Sequence, residues 1–216
     1  MRRIAYFGGT FDPVHTGHLS VARSVTKQFD IDLFYFLPAF HAPHKPNRIP
    51  TSAFHRFAML VLATEPYDRI GVSTVELEKS EKRFTIQTLP ELYRIHPDCE
   101  LFFVMGADSW ADIRTWRDWE EVLVMSNHIV ATRPGYPISF DHVTEKIRQR
   151  IVDLRNGSSK TEVFNDGAKH IYISDAVLYD TSASELREDL TDGRLEKRND
   201  VPAAVAKYIE KYELYR

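Results

Sequence analysis

Two hydrophobic periods alternate along the chain. Short unbroken apolar runs are typical of buried strands, and longer stretches with an apolar residue every three or four positions are typical of amphipathic helices. The strand-like runs are Ile4–Phe7, Leu33–Leu37, Ile70–Ser73, Leu101–Met105, His128–Thr132 and His170–Ile173. The helical stretches are about Leu19–Phe29, Ser52–Ala63, Thr85–Ile95 and Trp119–Met125, with two more that begin near Ser182 and near Pro202.

This alternation predicts an α/β fold of the doubly wound kind. Strands separated by helices form βαβ crossovers, which give a mostly parallel sheet with helices on both faces. The chain shows no internal repeat, so we expect one domain over residues 1–216, with the polar stretch 156–160 as an exposed loop. Ligands of such folds bind outside the carboxyl ends of the strands, which are Phe7, Leu37, Met105, Thr132 and Ile173.

Composition and charge narrow the class of protein. The 28 Lys and Arg against 31 Asp and Glu give a net charge of -3, which provides no general attraction for nucleic acid or an anionic membrane, and we expect neither as a partner. The single cysteine, Cys99, cannot form an internal disulfide, as is usual in a reducing compartment. The apolar start of the chain is too short for a signal peptide, so the expected location is the cytoplasm.

The loop after the first strand combines several phosphate-binding features. Gly8 and Gly9 allow a tight turn and close approach of a ligand to the main chain, and the following helix start offers N–H groups to a phosphate. His15 and His18 lie three residues apart, so they face the same way and can donate hydrogen bonds to phosphate oxygens. Considered one at a time, these features are less specific. A glycine pair at a strand end often forms only a turn, and a histidine pair on a helix often has only a packing role. The run matches neither a P-loop nor the dinucleotide fingerprint.

A proline-rich loop follows the second strand. It holds His44 and Lys45 between Pro43 and Pro46, which limit its conformational freedom. Lys45 can act as a point charge on phosphate, although an ordinary solvated lysine is the alternative.

The same histidines permit a competing interpretation as a zinc site. Two H-x-x-H pairs could supply four imidazoles, and a nearby aspartate could act as a general base in a hydrolase. The residues concerned are His15, His18, His41 and His44, with Asp12 or Asp108 as the base.

Two later segments carry candidate nucleotide-binding groups. After the central strand, Gly106 permits close approach, and Asp108 can accept from ribose hydroxyls or cap a helix. Trp116 can stack on a flat, cationic heterocycle or pack in the core. Near the C-terminus, Ser182 begins a capping-box pattern, and with Arg187 it could also hold phosphate.

The run GGTFDPVHTGH at residues 8–18 resembles the signature of the HxGH nucleotidyltransferases. Motifs at residues 43–45, 106–116 and 182–187 are similar to those of the bacterial nicotinate-nucleotide adenylyltransferases, with departures at Ala42, Ser184 and Leu186. The resemblance implies a Rossmann-like nucleotidyltransferase fold. It implies an enzyme that transfers AMP from ATP to nicotinate mononucleotide, which gives nicotinate adenine dinucleotide and pyrophosphate in NAD biosynthesis.

The resemblance also implies roles for individual residues. Those expected to carry catalysis are His15, His18, Lys45 and Arg187. Those expected to bind ATP are Gly8, Gly9, Thr10, Phe11, Gly106, Asp108, Ser182 and Ser184. Those expected to bind the mononucleotide are His44, Thr85, Trp116 and Arg117. Backbone N–H groups are expected to recognise the pyridine carboxylate.

The expected cofactor is Mg²⁺ carried with ATP, without a metal site of the protein's own. The expected partners are the small molecules ATP and nicotinate mononucleotide, and a homo-oligomer is allowed. Three alternatives remain open from the residues. They are another phosphorylated acceptor (nicotinamide mononucleotide, phosphopantetheine or a flavin), a nucleotide sensor without turnover, and the zinc hydrolase.

Overall fold

The structure is a computed structural model that describes residues 1–41, 50–79, 81–132, 137–155, 167–175, 186–187 and 200–215. Its strands form one seven-stranded sheet in the order β3-β2-β1-β4-β5-β7-β6, and all six neighbouring pairs are parallel. The strands are β1 Arg2–Gly9, β2 Leu33–Pro38, β3 Ile70–Val72, β4 Cys99–Gly106, β5 Asn127–Ala131, β6 Ile151–Asp153 and β7 Ile171–Ser174. The predicted parallel α/β sheet is confirmed.

Helices cover both faces of the sheet. They are α1 Thr16–Gln28, α2 Ala53–Thr64, α3 Thr85–Ile95, α4 Ala107–Ala111, α5 Trp119–Met125, α6 Glu145–Arg148 and α7 Ala203–Lys211, with a 3₁₀ turn at Ile113–Thr115. Alternate residues of β1 point to opposite faces, as the period of a strand requires. Ala5 and Phe7 pack with α1, α2 and α7, whereas Ile4 and Tyr6 pack with α3, α5 and α6.

Several short elements were not predicted. They include β6 at the edge of the sheet, α4, the 3₁₀ turn and α6, each of three to five residues. Elements this short offer few positions in which a period can be recognised, although the three-residue β3 was predicted. The predicted first strand also ended too early, because β1 continues through Gly8 and Gly9. The predicted loop at 156–160 and the start of the helix near Ser182 lie outside the described residues.

The strand order reverses at β1, which makes the carboxyl end of β1 the switch point of the sheet. The chain proceeds outward from β1 to β2 and β3, and then crosses back to place β4 on the other side of β1. Loops that leave β1 and β4 at their carboxyl ends therefore diverge, which opens a crevice at this point in doubly wound sheets. None of the described helices is long and apolar enough to cross a membrane.

Candidate active site at the switch point of the sheet

A cavity of about 210 Å³ lies at the carboxyl ends of the central strands. Gly8 and Gly9 of β1, Leu37 of β2 and Phe103 of β4 line it from the sheet. The loops and helix starts around the sheet supply the other lining residues, which are Thr10, Ala39, Glu76, Arg83, Phe84, Thr85, Ser109, Trp116 and Arg117. The cavity therefore contains six predicted site residues, which are Gly8, Gly9, Thr10, Thr85, Trp116 and Arg117.

The two glycines are required by side chains that pack against them. A Cβ atom added at Gly8 would lie 2.7 Å from Cζ of Phe103, and one added at Gly9 would lie 2.7 Å from Cζ of Phe11. Both distances are shorter than real contacts, so any larger residue would displace a buried ring. The glycines thus let aromatic rings close over the end of β1, in addition to leaving the main chain open to the cavity.

Trp116 forms one wall of the cavity. Its ring is half-buried and meets Phe103 edge-on, with 6.2 Å between ring centroids and 89° between ring planes. Trp110 differs, because it is 1% exposed and its indole N–H donates to the carbonyl oxygen of Ser139 at 3.0 Å. Trp110 is a core residue, whereas Trp116 both packs on the core and lines the cavity.

Another part of the cavity wall comes from the start of α3. Thr85 is the first residue of this helix. The guanidinium carbon (Cζ) of Arg117 lies 5.4 Å from the ring centroid of the preceding Phe84. Arg83 is held by Glu91, with 2.6 Å between Nη1 and Oε2. This hydrogen-bonded ion pair lowers the pKa of Glu91. A helix N-terminus and two guanidinium groups make this side of the cavity favourable for an anion.

Glu76 is an acidic group in the cavity wall that the sequence did not indicate as a site residue. It is 9% exposed and accepts a hydrogen bond from the Thr88 hydroxyl at 2.8 Å. Burial raises the pKa of its carboxyl to about 7, against the opposing effects of Thr88 and of the Arg83 charge.

The two histidines of the first loop lie against each other, as predicted. Their rings stack with centroids 3.6 Å apart, and Nδ1 of His18 accepts from the backbone N–H of His15 at 3.3 Å. In a neutral imidazole the proton of His18 must then lie on Nε2, which becomes a donor. Some N–H groups at this helix start already have protein acceptors, since Thr16 donates to Asp200 and His18 donates to His15.

A fully buried arginine connects the loops after β1 and β2. Arg56 of α2 donates to the carbonyl oxygens of Thr10 at 2.6 Å, Ala39 at 2.7 Å and Thr51 at 2.8 Å. Burial lowers the pKa of this guanidinium, while the neighbouring Asp12 acts in the opposite direction. An arginine inside an amphipathic helix pattern is usually a surface residue, so the sequence offered no signal for this role.

Asp12 is a second organising residue of the first loop. Its carboxylate accepts from the Tyr215 hydroxyl at 2.6 Å and from the backbone N–H of Thr51 at 3.2 Å. Its carbonyl oxygen accepts from Nη1 of Arg187 at 2.7 Å. Arg187 is thereby brought to the loop that carries the histidines, although 175 residues separate it from Asp12.

The other predicted site residues either do not line the cavity or lie outside the described residues. Phe11 is buried at 3% exposure with a φ of 52°, so its ring belongs to the core. Gly106 ends β4 at the same edge of the sheet, and Asp108 is exposed in the first turn of α4. The alternative that Asp108 caps this helix is wrong, because the N-cap residue is Gly106. The remaining four, which lie outside the described residues, are His44, Lys45, Ser182 and Ser184.

The zinc interpretation lacks support from the part of the chain that the structure describes. Within those residues, no three side chains of His, Cys, Asp or Glu come together as a metal site. His15 and His18 are adjacent, but His44 is outside the description.

Comparisons with known proteins show the family and the fold. A family model described as cytidylyltransferase-like matches residues 6–189. The probable nicotinate-nucleotide adenylyltransferase of Thermoanaerobacter sp. (strain X514) is 35% identical over 216 residues, which cover 99% of this chain and 94% of the relative. The protein of the same name from Clostridium tetani (strain Massachusetts / E88) is 31% identical and is covered over the full length of both chains.

Solved structures share the fold. The nicotinic acid mononucleotide adenylyltransferase of Plasmodium falciparum, in complex with NaAD, superposes with a TM-score of 0.72 at 20% identity. The alignment covers 100% of this chain and 98% of that one. A putative nicotinate-nucleotide adenylyltransferase from Vibrio parahaemolyticus gives a TM-score of 0.59 at 15% identity, with 97% and 99% covered. The chain belongs to the nicotinate-nucleotide adenylyltransferase family of cytidylyltransferase-like proteins.

Proposed function

We propose that this protein transfers the adenylyl group of ATP to nicotinate mononucleotide. A phosphate oxygen of the mononucleotide attacks the α-phosphorus of ATP, and the bond from that phosphorus to the oxygen bridging to the β-phosphate breaks. Pyrophosphate leaves, and the product is nicotinate adenine dinucleotide, a precursor of NAD. The observation that carries the proposal is the cavity at the switch point, where Trp116 and the N-terminus of α3 lie beside the Gly8–Thr10 segment.

The proposed position of the pyridine follows from the cavity walls. A nicotinate mononucleotide has a cationic ring and an anionic carboxylate. Trp116 offers a ring face for stacking on the cation, and the main chain at Thr85 with the nearby Arg83 suits the carboxylate. Arg117 lies on the same side and adds positive charge toward the mononucleotide.

The phosphates would lie over the first loop. The proposed tautomer of His18 directs an N–H donor from Nε2, and His15 stacks directly against it. Arg187, tied to Asp12, adds a fixed positive charge to the same region. These groups would stabilise the charge that develops on the triphosphate, since phosphoryl-type transfer depends mainly on positioning and electrostatics.

The remaining assignments rest on the sequence motifs. His44 and Lys45 would contact the phosphates, Ser182 and Ser184 the triphosphate, and Gly106 with Asp108 the adenosine. Mg²⁺ would enter as part of the substrate MgATP, because this ion commonly binds substrate phosphates and keeps much of its water shell. We place the reaction in the cytoplasm.

A pyrophosphate-release assay tests the function and the acceptor together. The purified protein is incubated with ATP and Mg²⁺ in three parallel reactions. Each reaction contains one acceptor, which is nicotinate mononucleotide, nicotinamide mononucleotide or phosphopantetheine. We expect fastest release with nicotinate mononucleotide, together with the dinucleotide product. If neither pyridine mononucleotide gives pyrophosphate, the proposal is refuted. If only phosphopantetheine gives pyrophosphate, phosphopantetheine is the acceptor and nicotinate mononucleotide is not.

A histidine variant tests the proposed phosphate contacts. His18→Ala should lower kcat by roughly 100-fold or more, the effect of losing one donor to a developing negative charge. His55→Ala is the matched control, because His55 lies on α2 and contacts Tyr208 away from the cavity. Equal rates in the His18 variant and the wild type would remove His18 from the catalytic residues.

A further inference from the structure

Glu76 introduces a carboxyl group into a cavity that is otherwise suited to an anion. It lines the cavity together with Arg83, Phe84 and Thr85, and only 9% of its surface is exposed. A buried acid in the wall of a site for an anionic substrate is unfavourable when it is ionised, because like charges repel strongly where water is excluded. Its protonation state therefore bears on which ligand the cavity accepts.

The carboxyl group of Glu76 is fixed beside the start of α3. Its Oε1 accepts from the hydroxyl of Thr88, which is fully buried, at 2.8 Å. Thr88 lies three residues after Thr85 and therefore on the same side of the helix. Glu76 is thus held close to the end of the cavity where we place the substituent of the pyridine ring.

Burial and the charged groups around Glu76 act on the pKa of its carboxyl in opposite directions. Arg83 interacts with it electrostatically but makes its ion pair with Glu91, and Arg117 and Lys82 lie over the ring of Phe84. The strand residues that line the cavity carry no charge. Burial is the larger influence and raises the pKa of Glu76 to about 7.

We propose that Glu76 is a specificity-determining residue whose ionisation state sets the preference of the cavity for a pyridine carboxylate over a carboxamide. This inference rests on the proposed function. Protonated Glu76 accommodates a carboxylate and can donate a hydrogen bond to it. Ionised Glu76 repels a carboxylate, but it can accept a hydrogen bond from the NH₂ group of a carboxamide. The cost of burying the charge favours the protonated form and hence the carboxylate.

The test compares two substrates that differ only in this group. The ratio of kcat/KM for nicotinate mononucleotide to kcat/KM for nicotinamide mononucleotide is measured from pH 6 to pH 8. Both substrates share the ring charge and the titrating phosphate, so these effects cancel in the ratio. We expect the ratio to fall about tenfold over this range in the wild type, since Glu76 changes from mostly protonated to mostly ionised. A constant ratio in the wild type would overturn the proposal without any variant.

Variants separate a charge effect from a structural one. Glu76→Gln keeps an oxygen that can accept from Thr88 but cannot ionise, so its ratio should be high and independent of pH. Thr88→Val removes the hydrogen bond and keeps the acid, so the fall in the ratio should move to higher pH. Glu78→Gln makes the same chemical change two residues away on the exposed surface and should behave as the wild type does.

The outcomes distinguish this inference from the proposed function. If Glu76→Gln shows the same pH-dependent ratio as the wild type, the assignment of Glu76 is wrong while adenylyl transfer still holds. If neither pyridine mononucleotide gives pyrophosphate, the proposed function itself fails.

Discussion

Arg56 donates a hydrogen bond of 2.6 Å from Nη1 to the carbonyl oxygen of Thr10, which precedes it by 46 residues. The same guanidinium binds the carbonyl oxygen of Ala39 through Nη2. Thr10 and Ala39 both line the cavity, one after β1 and the other after β2. Arg56 therefore joins two loops that line the cavity, although it does not line the cavity itself.

Replacing Arg56 should destabilise the fold strongly. Arg56→Met leaves buried carbonyl oxygens without donors and removes the cation next to Asp12. We therefore expect the free energy of unfolding to decrease by about 3 kcal/mol or more. Urea denaturation measures this change. Arg94→Met is the control, because the Arg94 side chain is 76% exposed, and it should change stability by less than about 0.5 kcal/mol. Similar losses in the two variants would contradict the proposed role of Arg56.

The tight contact at Gly8 predicts a second stability effect. Gly8→Ala places a Cβ atom against the ring of Phe103 and should cost about 1–3 kcal/mol, as overpacking of a core usually does. Displacement of this ring also disturbs Trp116, so the KM for the mononucleotide should rise. Gly106→Ala serves as the comparison, since nothing lies within 4 Å of a Cβ added there. Thermal unfolding of both variants is the measurement. Equal melting temperatures would show that the Phe103 ring can move aside without loss of stability.

Trp116 should contribute to binding of the pyridine more than to stability. Trp116→Ala is expected to raise the KM for nicotinate mononucleotide about tenfold, the usual effect of losing one stacking ring. Trp116→Phe should recover part of that loss because a smaller ring face remains. The KM for ATP, measured in the same steady-state assays, should change little. If the KM for ATP rises more than the KM for the mononucleotide, the assignment of Trp116 to the pyridine is wrong.

Acid should destabilise the protein through His128. This residue is fully buried in β5, and burial lowers its pKa to about 4, with a partly compensating hydrogen bond to the Ser126 carbonyl oxygen. Between pH 4 and about 6.5 the unfolded chain binds the proton and the folded chain does not. Stability therefore falls as the pH falls through this window, by up to about 1.4 kcal/mol per pH unit.

A variant isolates that contribution. His128→Gln removes the titrating group, so its unfolding free energy should depend less steeply on pH between 4 and 6.5, whatever its absolute stability. The measurement is urea unfolding at several pH values. Parallel curves for the variant and the wild type would show that His128 does not carry the acid sensitivity.

The fold was predictable because it depends on local patterns. Buried strands such as β4 are continuous apolar runs, and helices such as α3 repeat their apolar positions at 3.6 residues, so each can be recognised within a short window. Their alternation then leaves few topologies other than a parallel sheet. β6 was not predicted, whereas β3, which also has three residues, was predicted.

The candidate site was predictable where its groups lie in short motifs, such as Gly8–Thr10 and Trp116–Arg117, which line the cavity. His15 and His18 face each other because residues three apart at a helix start share a side, and the sequence showed this spacing directly. Glu76 and Arg56 could not be found in the same way. Each resembles an ordinary charged surface residue until the folded chain shows what surrounds it.

The amino-acid sequence alone determined the class of fold, the edge of the sheet where the candidate site lies, and the family whose signature the loop after β1 resembles. The tertiary structure alone decided that Arg56 joins two loops, that Arg187 reaches Asp12, and that Glu76 is buried in the cavity wall. The reason is physical. Periodicity and turn chemistry act between neighbours in the chain, whereas burial and the pairing of charges depend on residues that only folding brings into contact.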